Sequence, residues 1–199
     1  MSDKKFHRVS IKSSILIFFA IVQSLCGCSF LLPSEKMITK NPWKTFEDVK
    51  IAFDKIVPGE TKLEDIKRLG FDPEETPNIE IWNYLDVIGH FMPNSSIQKK
   101  DLDKGLRDCI TAKDDCHALN LMVKKINKKR YGNVFLDLLR FARKTRTSGW
   151  QFDALIIMKN DFVVYKIWSG KPNINESIEK KMPLGPLQEA GNLLDLLSF

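Results

Sequence analysis

Hydrophobic positions recur at helical spacing in two short segments near the start of the predicted folded domain. Thr45 and Asp48 have the spacing of a capping box, and the apolar positions around them repeat every three or four residues, at Phe46, Val49, Phe53 and Ile56. Thr61 and Glu64 form a second box of the same kind. With the turn residues Pro58-Gly59 between them, the two patterns predict two short helices.

The middle of the chain, residues 74–133, has a less regular pattern. Residues 79–81 alternate between apolar and polar like a strand, whereas the apolar positions up to Ile88 fit one face of a helix. We interpret residues 79–91 as a helix, with another short helix at residues 102–109. The whole middle segment is therefore expected to be a helical insert.

From residue 134 onward the pattern becomes typical of β-structure. Apolar runs separated by turn residues predict three antiparallel strands, at residues 135–145, 150–158 and 162–168. The last segment, residues 186–199, has one apolar stripe at helical spacing. The complete pattern predicts an α+β fold with two short N-terminal helices, a helical insert, a three-stranded antiparallel β-meander and a C-terminal helix.

The N-terminal residues have the pattern of a targeting signal. Basic side chains precede an apolar run from Ile15 to Leu25, which is too short to cross a hydrocarbon core of about 30 Å. The sequence Leu25-Cys26-Gly27-Cys28 resembles the lipobox of bacterial lipoproteins, in which a small residue precedes the modified cysteine. The resemblance implies cleavage after residue 27 and attachment of lipid to Cys28.

This lipobox also implies a location and a domain organisation. Ser29 stands where an aspartate commonly signals retention in the inner membrane, so the resemblance favours the outer membrane, with the protein facing the periplasm. We expect residues 1–27 to be the signal peptide, residues 28–44 the lipid anchor and tether, and residues 45–199 a single α+β domain. The membrane is then a partner through the lipid on Cys28.

Composition and charge narrow the classes of partner. The 199 residues are 43% hydrophobic, which excludes a disordered chain. Residues 1–27 hold four Lys or Arg and one Asp, so their removal lowers the net charge from +6 to +3. Half of the basic excess therefore belongs to the signal peptide, and we expect no nucleic-acid partner.

One basic run remains in the mature chain. It consists of Lys124, Lys125, Lys128, Lys129 and Arg130. Such a run is either an ordinary solvated surface or a contact for anionic lipid headgroups or an acidic partner. The sequence leaves both interpretations open.

Cys109 and Cys116 are predicted to form a disulfide, because the envelope permits oxidation. Seven residues of α-helix rise about 10.5 Å, which exceeds the Cα separation of roughly 7 Å that a disulfide tolerates. The chain must therefore turn within residues 111–115. A zinc site that combines both cysteines with His117 lacks a fourth ligand, and we expect neither a metal nor a cofactor.

Catalytic motifs are missing from the sequence. After cleavage only His90 and His117 remain, and no nucleophile-elbow, zinc-protease, P-loop or dinucleotide motif occurs. The adjacent pairs Glu74-Glu75 and Asp114-Asp115 do not form an acid/base dyad by themselves, because neighbouring side chains project in different directions. We expect a protein that is not an enzyme.

One further resemblance suggests a role. Gly59-Glu60-Thr61, Glu64 and Leu69-Gly70, with Pro73 shortly after, resemble the helix pair of the SmpA/OmlA (BamE-type) outer-membrane lipoproteins, and residues 150–168 resemble that family's last strands. The resemblance implies a BamE/BLIP-like layout and a role in outer-membrane protein assembly or envelope integrity.

Two hypotheses for the function follow from these sequence features. The first is a lipid-anchored, non-catalytic interaction module that binds an envelope protein. The alternative is a lipoprotein that binds a lipid or a cell-wall ligand.

Overall fold

The strands of this protein pair into one antiparallel sheet in residues 31–185, the part of the chain that the computed structural model describes. The sheet has five strands in this part, in the order β1-β3-β4-β5, and β2 pairs with β3. Their bounds are Ser34–Ile38 for β1, Ile79–Asn83 for β2, Cys116–Tyr131 for β3, Ala142–Lys159 for β4 and Phe162–Lys181 for β5. The predicted signal peptide, Cys28 and the predicted C-terminal helix lie outside the described residues.

Helices fill the connections between the strands. Their bounds are Phe46–Asp54 for α1, Leu63–Arg68 for α2, Tyr84–Phe91 for α3, Lys104–Ala112 for α4 and Val134–Leu138 for α5.

The first helix begins where the sequence predicts it. The Thr45 Oγ1 accepts the backbone N–H of Asp48 at 3.2 Å, and the Asp48 carboxylate accepts the backbone N–H of Thr45 at 3.0 Å. This reciprocal pair is the predicted capping box.

The second helix begins one residue later than its predicted box. Its N-cap is Lys62, whose backbone N–H donates to the Asp65 carboxylate at 3.1 Å. Thr61 is buried, and its hydroxyl accepts the Val57 N–H at 2.7 Å. Thr61 therefore stabilises the preceding turn instead of capping the helix.

Two compact units divide the described chain. Residues 36–126 and 148–174 form the first, which we call the core unit. Residues 31–35, 127–147 and 175–185 belong to the second, which we call the basic unit.

The core unit has apolar clusters on both faces of its sheet. On one face α1 and α2 cover alternate residues of β4, including Ile156 and Met158. On the other face α3 and α4 cover the intervening residues Leu155 and Ile157. Successive side chains of a strand point to opposite faces, so this end of β4 is buried on both sides.

The predicted three-stranded meander with a helical insert is wrong. Residues 34–38, within the predicted tether, form β1, and residues 116–131 of the predicted insert form the long strand β3. The predicted helix at residues 79–91 is wrong over residues 79–83, which form β2, and Asn83 then caps α3. The first predicted strand, residues 135–145, instead begins with α5.

Candidate functional site

The predicted disulfide is present in the core unit. Cys109 and Cys116 lie at disulfide distance, with their Cα atoms 4.9 Å apart. The chain turns between them as required, because α4 ends at Ala112 and Lys113 takes a positive φ of 53°. Both cysteines are buried in the cluster under α3 and α4, where the bond links a helix end to the start of β3.

A basic groove lies in the basic unit and is the strongest candidate for a binding site. Its volume is about 390 Å³, within the range of small-ligand sites. Its lining comes from four strands and the residue before β1: Pro33, Ser34, Glu35, Lys128, Arg130, Arg143, Thr145, Thr147, Ile178 and Lys180.

Strand geometry explains which side chains line the groove. Alternate residues of a strand point to the same face, and the lining follows this spacing on β3, β4 and β5. Lys128 and Arg130 come from β3, Arg143 from β4 and Lys180 from β5. Sheet pairing thus brings together cations that are up to 52 positions apart in sequence.

A buried carboxylate fixes the two guanidinium groups. Asp137 on α5 is only 4% exposed, and its Oδ1 accepts from Arg130 Nη1 at 3.2 Å and from Arg143 Nε at 3.4 Å. Both arginines remain about one-third exposed, so their other N–H groups are accessible to a ligand. Asp137 therefore orients the arginines while leaving them able to bind.

The charges in the groove favour an anion. The lining carries four cations against one carboxylate, Glu35, which lies 3.7 Å from Lys128. Thr145 and Thr147 add hydroxyl groups that can donate hydrogen bonds. Arginine forks, lysine ammonium groups and hydroxyls are the donors that bind phosphate in proteins.

The opposite face of the same strands has a different charge pattern. Lys144 and Lys181 lie 3.4 and 3.5 Å from the Glu179 carboxylate, and Arg146 lies over the Tyr131 ring. Burial alone would raise the pKa of Glu179, but the two lysines outweigh it and hold the pKa below its ordinary value. The cations of this face are therefore engaged with neighbours.

The structure separates the five residues of the predicted basic run. Lys128 and Arg130 line the groove, whereas Lys124, Lys125 and Lys129 do not. Sequence reasoning missed Arg143, Thr145, Thr147 and Lys180. Arg143, Thr145 and Thr147 are spaced two residues apart, which indicates one face of a strand and could have grouped them. Nothing local in the sequence connects Lys180 to these three residues.

The histidines take local structural positions. His90 on α3 has its ring 5.3 Å from Trp82 and 5.0 Å from Phe91, and His117 pairs with Asn83 in the β2–β3 register. Within residues 31–185 no three His, Cys, Asp or Glu side chains are placed to hold a metal ion together. No helix in that range is long and apolar enough to cross a membrane.

No protein-family model, curated protein or solved structure matches this chain. The BamE/BLIP-like layout is wrong, because the sheet has five strands in the described residues instead of a three-stranded meander. The resemblance to the SmpA/OmlA lipoproteins, and the role in outer-membrane protein assembly that it implies, stay predictions. The same holds for lipid attachment, for the location and for the expected lack of catalysis. The basic groove is accordingly the feature from which a function can be inferred.

Proposed function

We propose that this chain is a lipid-anchored, non-catalytic protein of the bacterial envelope whose basic groove binds the phosphate groups of anionic lipid headgroups. The observation that carries the proposal is the convergence of Lys128, Arg130, Arg143 and Lys180 on one side of the sheet. This is the lipid-binding alternative of the two sequence-based hypotheses, assigned to a specific surface.

The net positive charge of the groove supports a ligand rather than a merely solvated surface. Arg130 and Arg143 share the Asp137 carboxylate, and Lys128 lies near Glu35. The four cations of the groove thus meet two carboxylates, and a formal excess of two positive charges remains. Like charges held together repel one another, and an anionic ligand relieves that repulsion. An anionic membrane surface attracts each nearby Lys or Arg with about 1 kcal/mol.

The position of the groove along the chain fits a membrane ligand. Ser34 lines the groove, and Cys28 precedes it by six positions. Six residues of chain span at most about 20 Å. A lipid on Cys28 would therefore keep the groove near the headgroups, where the effective concentration of ligand is high.

Co-sedimentation with lipid vesicles tests the proposal. The full chain carrying Cys28→Ser, which cannot take the predicted lipid, is mixed with vesicles of phosphatidylcholine alone or with added phosphatidylglycerol. We expect Lys180→Gln to lower partitioning onto the anionic vesicles about fivefold, as expected for the loss of one cation at the surface. The N-terminal segment, with its apolar run and four cations, also binds vesicles, but it is identical in all variants. Differences between variants therefore report the substituted position.

Lys181→Gln is the matched control. Lys181 is adjacent to Lys180 on β5 and carries the same charge, but it contacts Glu179 on the opposite face. Its loss should change partitioning by less than about twofold, because screening weakens distant charges. Equal losses for the two variants would show that only net charge matters and would overturn the assignment of the groove.

A further inference from the structure

An exposed apolar surface lies at one end of the basic unit, and we call it the apolar tip. Its members are large apolar side chains that are all more than one-third exposed: Phe135, Leu136, Leu138, Phe141 and Leu184. Leu138 is 76% exposed, which is unusually high for a leucine. Large apolar side chains that are exposed close together in the fold are typical of an interaction site.

The short helix α5 reverses the usual distribution of polar and apolar residues. Its aspartate, Asp137, is buried, whereas Phe135, Leu136 and Leu138 are exposed. The reversal is fixed by hydrogen bonds, because the Asn133 side chain caps the helix and Asp137 accepts from Arg130. The apolar side chains are therefore held outward by the hydrogen bonds that Asp137 Oδ1 accepts.

Hydrogen bonds and packing join the other members to this helix. The Phe141 carbonyl accepts the Met182 N–H at 2.8 Å, and the backbone of Gly185 lies so close to the Phe141 ring that a Cβ there would come within 3.0 Å of it. These contacts hold Leu184, next to Gly185, on the same end of the unit as Phe141.

Chain neighbours of the apolar tip line a second cavity that shares residues with the basic groove. A smaller cavity of about 160 Å³ is lined by Arg140, Arg143, Lys180 and Met182. Two of these residues, Arg143 and Lys180, also line the groove, and Arg140 follows directly on the last turn of α5. Arg140, next to Phe141 in the chain, therefore shares a cavity with two cations of the groove.

We propose that the apolar tip inserts into the interfacial layer of an anionic bilayer while the groove contacts the headgroups. The inference rests on the proposed function and adds a mode of membrane contact to it. Aromatic and aliphatic side chains bordered by Lys and Arg are typical of surfaces that lie in the membrane interface. The cations of the smaller cavity complement an anionic leaflet in charge, and the six-residue reach from Cys28 keeps the unit beside one.

Fluorescence quenching by brominated lipid tests insertion directly. Leu138→Trp places a reporter on the apolar tip, and Ile81→Trp places one at a similarly exposed position, 67% exposed, in the core unit. Both are made in the full chain with Cys28→Ser and mixed with phosphatidylglycerol vesicles that contain phosphatidylcholine brominated on its acyl chains. We expect added quenching, relative to the parent chain, for the tryptophan at position 138 and none for that at 81.

Partitioning of variants at the same two positions onto vesicles measures how much insertion contributes to binding. Leu138→Asp should lower partitioning onto anionic vesicles about tenfold, as expected when a leucine can no longer be buried in an apolar layer. Ile81→Asp adds the same negative charge and should have a much smaller effect. Circular dichroism and thermal unfolding establish that each variant is folded.

The outcomes separate this inference from the proposed function. Vesicle binding that depends on Lys180, without quenching at position 138, would overturn insertion and leave the groove proposal intact. Equal quenching at positions 138 and 81 would also overturn it. A chain that does not bind anionic vesicles at all would overturn both.

Discussion

At the scale of single residues, Gly149 and Gly89 differ in whether the fold has room for a side chain. Gly149 on β4 has a φ of 146°, and a Cβ there would collide with the Lys125 carbonyl oxygen of β3. Gly89 lies on α3, and a Cβ there would meet no atom within 4 Å. One position therefore requires glycine, whereas the other only tolerates it.

Alanine substitutions at these two positions should change stability in opposite directions. We expect Gly149→Ala to lower the free energy of unfolding by about 1–3 kcal/mol, because it strains the backbone. Gly89→Ala should raise it by about 0.5–1 kcal/mol, because alanine is the better helix former. Urea denaturation followed by circular dichroism measures both, and a stable Gly149→Ala protein would contradict the described pairing of β3 and β4.

The disulfide should contribute measurably to stability. Its loop of seven positions predicts a loss of about 2–3 kcal/mol in unfolding free energy when Cys109 and Cys116 are both replaced by Ala. A reducing agent should have a similar effect on the parent chain. The double variant is the control, since reductant should leave its unfolding curve unchanged, and insensitivity of the parent as well would argue against the bond.

Single residues of the site were only partly predictable. The disulfide and its turn followed from spacing and helix geometry, because both are local constraints. Lys128 and Arg130 lay in a recognisable basic run, but Arg143 and Lys180 join them only through strand pairing. Asp137 resembles an ordinary surface carboxylate in sequence. In the fold it is buried on α5 and pairs with Arg130 of β3 and Arg143 of β4.

At the scale of elements, the start of α1 couples stability to pH. Hydrogen bonds with Thr45 are the main reason why the pKa of Asp48 lies below its ordinary value. A carboxyl group whose pKa is lower in the folded state stabilises the fold above its unfolded pKa, here 3.8, and this stabilisation is lost as pH falls through the folded value.

The pH dependence of Asp48→Asn tests this coupling. The variant should be less stable than the parent at pH 7, and the difference should shrink as pH falls below about 4. Glu47 lies in the same helical turn, but the Lys44 and Thr45 N–H groups donate to Asp48 instead. Glu47→Gln should therefore lower the free energy of unfolding at pH 7 by less than Asp48→Asn does. A difference for Asp48→Asn that stays constant down to pH 2 would contradict the capping role.

Elements were predicted well where the pattern was amphipathic and poorly where it was not. The capping box of α1 precedes a clear apolar stripe, and both are local signals. The end of β3 carries lysines on both faces, so it shows no alternation between apolar and polar. It is a strand because its backbone pairs with distant segments, and single-residue patterns do not report such pairing.

At the scale of the whole molecule, the net charge does not reveal the cluster of cations in the basic unit. Removal of the predicted signal peptide leaves a modest net charge of +3, yet four cations share one groove. Only the folded sheet brings these four cations together, because they lie on three strands that are distant in sequence. Average charge is therefore the basis for expecting no nucleic-acid partner, but it does not indicate where an anion would bind.

The central claim is that the face of a cation, rather than the total charge, governs binding to anionic lipid. Two double variants of the full chain carrying Cys28→Ser test it, because each removes one Arg from β4 and one Lys from β5. Arg143→Gln with Lys180→Gln neutralises the groove, and Arg146→Gln with Lys181→Gln neutralises the opposite face.

Partitioning of these two proteins onto phosphatidylglycerol vesicles is the most direct measurement. We predict a loss of about thirtyfold for the groove variant, which corresponds to two surface cations, and a loss of less than about threefold for its counterpart. Losses of equal size would contradict the account, because both proteins carry the same net charge.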